Sequence, residues 1–186
     1  MKPLFTVHAG EYLVGSHIES RMGKRLNVWI PSRDIGIDLL VTDKSNQRAT
    51  SLQVKYGKDY LPEQRAKLRH SFRCLSWFTL NRAKLNENQP QVDFWVFVLY
   101  AFEGDRPDYL VIPTADLRKY LAEVRGTDGD TVQIYFSSIK GDRCWETRTL
   151  SSTEIEQIVS GSYNDPSKDF TRYLNTWDVI ENKLKD

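Results

Sequence analysis

The chain has 186 residues, enough for one domain with a sizeable core, with 40% hydrophobic and 27% charged residues, an ordinary globular balance that argues against a disordered chain. No apolar run is long enough to span a membrane, and Met1-Lys2-Pro3 opens no signal-peptide pattern. Two cysteines, Cys74 and Cys144, support neither a disulfide framework nor a zinc site, so a cytoplasmic location is expected.

The net charge of +1 conceals an uneven spread. Residues 1–54 carry +2, residues 55–84 carry +6 from eight Lys/Arg against two Asp/Glu, and residues 85–186 carry −7. A concentrated basic segment suits a polyanionic partner. The plainer alternative is a solvated helix that happens to be basic.

In chain order, residues 1–7 read as a lead-in, and His8 to Met22 as a helix. Glu11, Val14, Gly15, Ile18 and Met22 share one stripe of that helix. A glutamate on a core-facing stripe needs a partner, unless it stays wet at the helix N-terminus. His8, three residues ahead of Glu11, borders the same turn. Gly23 is placed to end the helix, and Leu26 to Ile30 forms a first strand closed by Pro31.

Two runs then alternate with period two. Ile35, Ile37, Leu39 and Val41 alternate with Asp34, Gly36, Asp38 and Leu40. Leu52, Val54 and Tyr56 alternate with Gln53, Lys55 and Gly57. The segment 42–48 between them is polar and turn-forming, so a hairpin is expected. One face goes to the core, and the other gathers Asp38, Gln53 and Lys55. A carboxylate can hold a hard divalent cation, an amide oxygen is a weak neutral ligand, and a lysine beside them can position water or offset phosphate charge. Asp34 lies four residues from Asp38, about 13 Å along an ideal strand, too far to share one ion directly.

After Gly57, Pro62 opens a segment to about Leu85 that reads as one helix, or two broken near Trp77. Leu68, Phe72, Leu75 and Phe78 suit a buried stripe. Lys58 precedes it, and Arg65, Arg69 and Arg73 recur four apart on another face, a row able to track phosphates. Val92 to Phe102, the most apolar run, reads as a central strand, followed by a strand at Tyr109 to Ile112. Thr114 is expected to cap a helix over Ala115 to Val124. Val132 to Phe136 and Trp145 to Leu150 pair across Lys140-Gly141-Asp142. Ser151 and Glu154 stand at capping-box spacing before a short helix. Phe170 to Leu184 reads as an amphipathic helix with Tyr173, Leu174, Trp177, Ile180 and Leu184 on its apolar side.

Asp38 with Gln53-Val54-Lys55 resembles the PD-(D/E)xK, or restriction-endonuclease-like, nuclease superfamily, in a branch where Gln replaces the usual acid. Ala9-Gly10-Glu11-Tyr12-Leu13-Val14 resembles the first-helix Gly-Glu signature of nucleases related to Holliday-junction resolvases and modification-dependent restriction enzymes. The resemblance covers residues 8–57 well, and the rest only in general layout. It implies an α/β fold with a mixed central β-sheet flanked by helices. The catalytic core would span about 8–113 and a C-terminal helical elaboration about 114–186, all within one domain. It also implies a Mg²⁺- or Mn²⁺-dependent endonuclease acting on DNA, with Glu11, Asp38, Gln53 and Lys55 catalytic. Glu11, Asp38 and the Val54 carbonyl would ligate the metal, and Lys58, Arg65, Arg69 and Arg73 would touch nucleic acid. RNA stays open as a substrate, no membrane partner is expected, and a homodimer is one way to cut both strands. The alternative is a nuclease fold that binds nucleic acid without cutting it, for which the Gln53 exchange leaves room. No hydrolase elbow, phosphate-binding glycine loop or dinucleotide fingerprint is present.

Overall fold

A computed structural model describes residues 9–32, 36–59, 70–85, 92–100, 106–125 and 129–185. Four helices are present, α1 (Ala9–Met22), α2 (Thr114–Arg125), α3 (Ser152–Ser160) and α4 (Asp178–Lys183), among the described residues. The strands are β1 (Leu26–Trp29), β2 (Leu39–Asp43), β3 (Ala49–Lys58), β4 (Phe72–Asn81), β5 (Phe94–Tyr100), β6 (Asp108–Pro113), β7 (Thr131–Ile139) and β8 (Arg143–Glu146). The fold is α/β, with a five-stranded mixed sheet ordered β1-β2-β3-β5-β6 and a second sheet ordered β4-β7-β8. Among the described residues only β3 and β5 run parallel, with Gln53 opposite Trp95 and Lys55 opposite Phe97. The start of that pair is clamped by Asp93, whose Oδ2 accepts from the Ser51 amide at 2.9 Å and from the hydroxyls of Thr50 and Ser51.

Strand alternation sends β3 to two cores. Val54 joins Val14, Ile18, Val96, Val98, Trp177 and Ile180 on the face covered by α1 and α4. Gln53, Lys55 and Gly57 turn to the other face, where β4 and β7 stack through Phe78, Leu80 and Phe136 on Trp95, Phe97 and Leu99. The two sheets come closest at Gly57: a Cβ there would lie 2.6 Å from the Phe78 ring and 2.8 Å from Ser76 Cβ. Ser76 Oγ donates to the Gly57 carbonyl at 3.2 Å across the same contact. A smaller core seats α3 on β7 and β8 through Ile139, Trp145, Ile155 and Ile158. No helix in the described residues is long and apolar enough to cross a membrane.

Several expectations hold closely. The helix at α1, the hairpin of β2 and β3 and the central strand β5 stand where the patterns place them; β7 pairs with β8 across Lys140-Gly141-Asp142, but β8 covers Arg143–Glu146 and not the expected Trp145 to Leu150. Ser151 and Glu154 form the full reciprocal capping box of α3. Cys74 and Cys144 are buried.

Others are corrected. The helix expected to end at Leu85 is instead β4 followed by a short 3₁₀ turn over Arg82–Leu85; residues 60–69 lie outside the described residues. The register slips between Phe72 and Cys74, so buried positions run through Phe72, Cys74, Leu75, Ser76, Phe78 and Leu80. That bulge imitates helical spacing at Phe72, Leu75 and Phe78. The strand expected from Asp34 begins only at Leu39, because Gly36 is left-handed at φ 88°; residues 33–35 lie outside the described residues. Thr114 does not cap α2 from outside: it is the first helical residue, and its hydroxyl donates to the Val92 carbonyl.

The single C-terminal helix is also broken. Its segment makes a 3₁₀ turn at Thr171–Tyr173 and then α4. Asn175 sits between them at φ 55°, exchanging bonds with the edge of β6: its amide donates to the Tyr109 carbonyl at 2.7 Å and its Oδ1 accepts from the Tyr109 amide at 2.9 Å. Pairing with a distant strand edge replaces the local helix. The expected apolar residues, Tyr173, Leu174, Trp177, Ile180 and Leu184, are buried all the same.

Candidate active site

The β2–β3 hairpin builds the site. Its register sets Leu39 opposite Leu52 and Val41 opposite Thr50. Its turn is gathered by the Asp43 carboxylate, which accepts from the Gln47 amide at 2.9 Å and the Ser45 hydroxyl at 2.7 Å. The Ser45 hydroxyl, helped by the amides of Arg48 and Gln47, holds the Asp43 carboxyl below the usual carboxylate range. Asp38 stands just before β2 and extends the ladder, its amide donating to the Leu52 carbonyl at 2.9 Å.

From there the half-buried Asp38 side chain meets β3 directly. Asp38 Oδ2 accepts from the Val54 amide at 2.8 Å and from Gln53 Nε2. Oδ1 has no donor among the described residues. Gln53 is 3% exposed, so its amide is a buried part of the site and no surface ornament. Because Nε2 faces the carboxylate, Oε1 is turned away from Asp38 Oδ2. In an extended strand a residue's N–H and C=O lie on one side, so the Val54 carbonyl faces the Asp38 side as well.

Lys55 stands two residues beyond Gln53 on the same face. Its Nζ lies 5.7 Å from the centre of the Trp95 ring, within cation–π range. In the sequence Trp95 sits inside the most apolar run and reads as core. The informative signal is its parallel register opposite Gln53.

Glu11 is buried in the first turn of α1. Gly10 brings that turn against β3: a Cβ on Gly10 would lie 3.0 Å from Tyr56 Cβ and 3.1 Å from Val54 Cγ1. Val54 and Tyr56 face α1, whereas Gln53 and Lys55 alternate to the face of the second sheet. Asp38, Gln53 and Val54 are brought into contact, Lys55 follows on the same strand, and Glu11 belongs to the helix turn that packs on β3. No group of three His, Cys, Asp or Glu side chains converges as a metal cage among the described residues. The donors at hand are one carboxylate, one amide and a backbone carbonyl. That set fits Mg²⁺, which keeps several waters and takes one or two carboxylates plus substrate phosphate.

Of the expected arginine row, Arg73 alone falls among the described residues. Arg73 lies on β4, with Nε 3.0 Å from Asp108 Oδ2 and Nη1 2.6 Å from Asp142 Oδ1, so acids on β6 and in the β7–β8 turn neutralise it. His8, Asp34, Arg65 and Arg69 lie outside the described residues, as does the side chain of Lys58, the last residue of β3.

No known family's sequence model matches the chain, and no curated protein matches it. Among solved structures, a bacterial homing endonuclease superposes with a TM-score of 0.42 and 16% identity, over 94% of this chain and 91% of its own. A likeness of that size leaves the assignment to the residues themselves.

Proposed function

We propose that this chain is a metal-dependent endonuclease of the PD-(D/E)xK kind that hydrolyses DNA phosphodiester bonds. The observation that carries the proposal is the junction at the hairpin: Asp38 Oδ2 held by the Gln53 amide and the Val54 N–H, with Lys55 alongside. Asp38 and the Val54 carbonyl would hold Mg²⁺ or Mn²⁺, with Glu11 joining directly or through water. The ion would act as Lewis acid and lower the pKa of a bound water. Gln53 keeps Asp38 Oδ2 engaged, which points Oδ1 as the ligand atom. Lys55, steadied over Trp95, would orient the attacking water and offset charge growing on the scissile phosphate.

Nicking of supercoiled plasmid with Mg²⁺ or Mn²⁺ tests this. Wild type should nick, and Asp38→Ala and Lys55→Ala should not, with folding intact. Nicking unaffected by both substitutions would overturn the assignment. A second reading, a fold that binds nucleic acid without cutting, draws on the neutral Gln53 and the single carboxylate at the junction. It predicts salt-dependent DNA binding with no nicking by any form.

A further inference from the structure

Between α1 and the edge strand β1 lies a groove of about 1030 Å³, lined from Glu19 to Trp29 and by Lys44 and Asn46 of the β2–β3 turn. Its described lining carries Arg21, Lys24, Arg25 and Lys44 against one carboxylate, Glu19. Arg25 is tied to Glu181 at 2.6 Å. Arg21 and Lys24 are exposed, with no ion-pair partner among the described residues. Lys44 Nζ donates to a neutral oxygen, Asn27 Oδ1, at 2.7 Å. Three cations therefore keep their charge facing the groove.

The second feature is Trp29, 50% exposed. Its Nε1 donates to Thr42 Oγ1 at 3.1 Å, and Thr42 donates to Asn46 Oδ1 at 2.7 Å. Asn46 Oδ1 also accepts from Asn27 Nδ2 at 2.9 Å. This chain of bonds fixes the indole edge on the sheet and leaves the ring accessible. A fixed aromatic face among cations matches unpaired nucleic acid, whose bases stack on rings while phosphates follow positive charge. A polypeptide without acidic side chains added to the edge of β1 would gain nothing from the three cations, and even an acidic one would not use the flat ring face as a base does.

We propose that this groove binds an unpaired stretch of nucleic acid, with a base stacked on Trp29 and phosphates on Arg21, Lys24 and Lys44. For its purpose the proposal rests on the endonuclease reading. Trp29 pairs with Leu40, two residues from Asp38, about 7 Å along the strand. A single strand held at Trp29 leads its neighbouring phosphodiester towards Asp38. The preferred substrate class is then DNA with a junction between paired and unpaired segments, such as a flap, gap or branch.

Fluorescence anisotropy in chelator, with a labelled single strand, a blunt duplex and an overhanging duplex, tests the groove. Wild type should favour the single strand and the overhang. Trp29→Ala should weaken those two by about tenfold and leave the blunt duplex unchanged. The combined Arg21→Gln, Lys24→Gln, Lys44→Gln variant should flatten the salt dependence for single strand by about two in log–log slope. All these positions are exposed, and melting curves would verify folding. Equal binding of the three DNAs, unchanged binding by Trp29→Ala, or no binding by wild type would overturn the proposal. So would a dimer in sedimentation that Trp29→Ala dissolves, which would assign the face to a second copy. Groove binding with no cutting of either plasmid or the overhanging duplex in Mg²⁺ or Mn²⁺ would sink the endonuclease reading alone, and cutting with indifferent groove variants would sink the groove alone.

Discussion

Gln53 and Asp38 are joined side chain to side chain, the Gln53 amide nitrogen donating to the same Asp38 oxygen that the Val54 N–H reaches at 2.8 Å. In this position an acid would set two negative charges against each other. The amide converts that repulsion into a hydrogen bond and halves the negative charge available to a cation. The free protein should therefore bind Mg²⁺ weakly and gain affinity when substrate phosphate supplies a ligand. Gln53→Glu should tighten Mg²⁺ binding by about tenfold in calorimetric titration, because added ligand charge raises affinity for hard cations. Without metal the same variant should melt lower than wild type, since two carboxylates would then share a mostly buried site. Tight Mg²⁺ binding by wild type in the absence of DNA would contradict this account.

Gly10 is the hinge between helix and site. Alanine favours a helix by up to about 1 kcal/mol over glycine, but here its Cβ would press on Tyr56 and Val54 at 3.0 and 3.1 Å. The two effects oppose each other in stability. They do not oppose each other in position, since the contact is relieved by a few tenths of an ångström when the first turn of α1 moves outward with Glu11. Gly10→Ala should leave the denaturation midpoint within about 1 kcal/mol of wild type while lowering nicking rate several-fold. A variant that cuts at the full rate would show that Glu11 does not serve the site from this turn.

How far the sequence shows these relationships depends on whether the deciding contact is local. The hairpin is legible because Leu39, Val41, Leu52 and Val54 alternate on neighbouring strands, and that alternation places Asp38 and Gln53 together. The buried stripe of α1 is legible for the same reason, with Glu11, Val14, Ile18 and Met22 all buried. β4 is not, because a bulge between Phe72 and Cys74 breaks its period. The break in the C-terminal helix is not, because Asn175 is held by Tyr109, a partner 66 residues away. The acids that pair with Arg73, Asp108 and Asp142, are likewise distant in sequence. Trp29 carries no signal in sequence either, since its exposure is decided by the edge position of β1.

His17 gives the fold a pH dependence. It stacks on Trp177 with ring centres 4.6 Å apart and tilts against Tyr109 at 4.9 Å, tying α1 to the segment before α4. Burial, then the charges of Arg21 and Arg106, lower its pKa below the usual histidine value. A lowered folded-state pKa means the unfolded chain takes up the proton first, so stability falls as pH drops from about 7 through the unfolded value near 6.5 and on to the folded one. Urea midpoints should decline over that window in wild type, and the decline should shrink in His17→Gln, whose side chain does not titrate. An equal decline in both proteins would remove His17 as its source.

The buried pair Glu146–Lys168 is the last test, and it separates structural charge from functional charge. Glu146 is 0% exposed and Lys168 is 7% exposed. Lys168 Nζ donates to Glu146 Oε2 at 2.9 Å and to Thr149 Oγ1 at 3.0 Å, while Glu146 Oε1 accepts from the amides of Tyr135 and Arg148. The carboxylate thus stitches β8 to β7 and to the turn that carries Lys168. Removing the lysine alone strands a charge that still holds two amides, so Lys168→Met should cost about 3–5 kcal/mol in chemical denaturation. Pairing it with Glu146→Gln keeps an acceptor for those amides and removes the stranded charge, and should recover a substantial part of the loss. Plasmid nicking per folded molecule should be unchanged in both proteins, because neither residue lies at the hairpin. A single variant as stable as wild type would mean that the pair contributes no net stability, its desolvation cancelling its attraction.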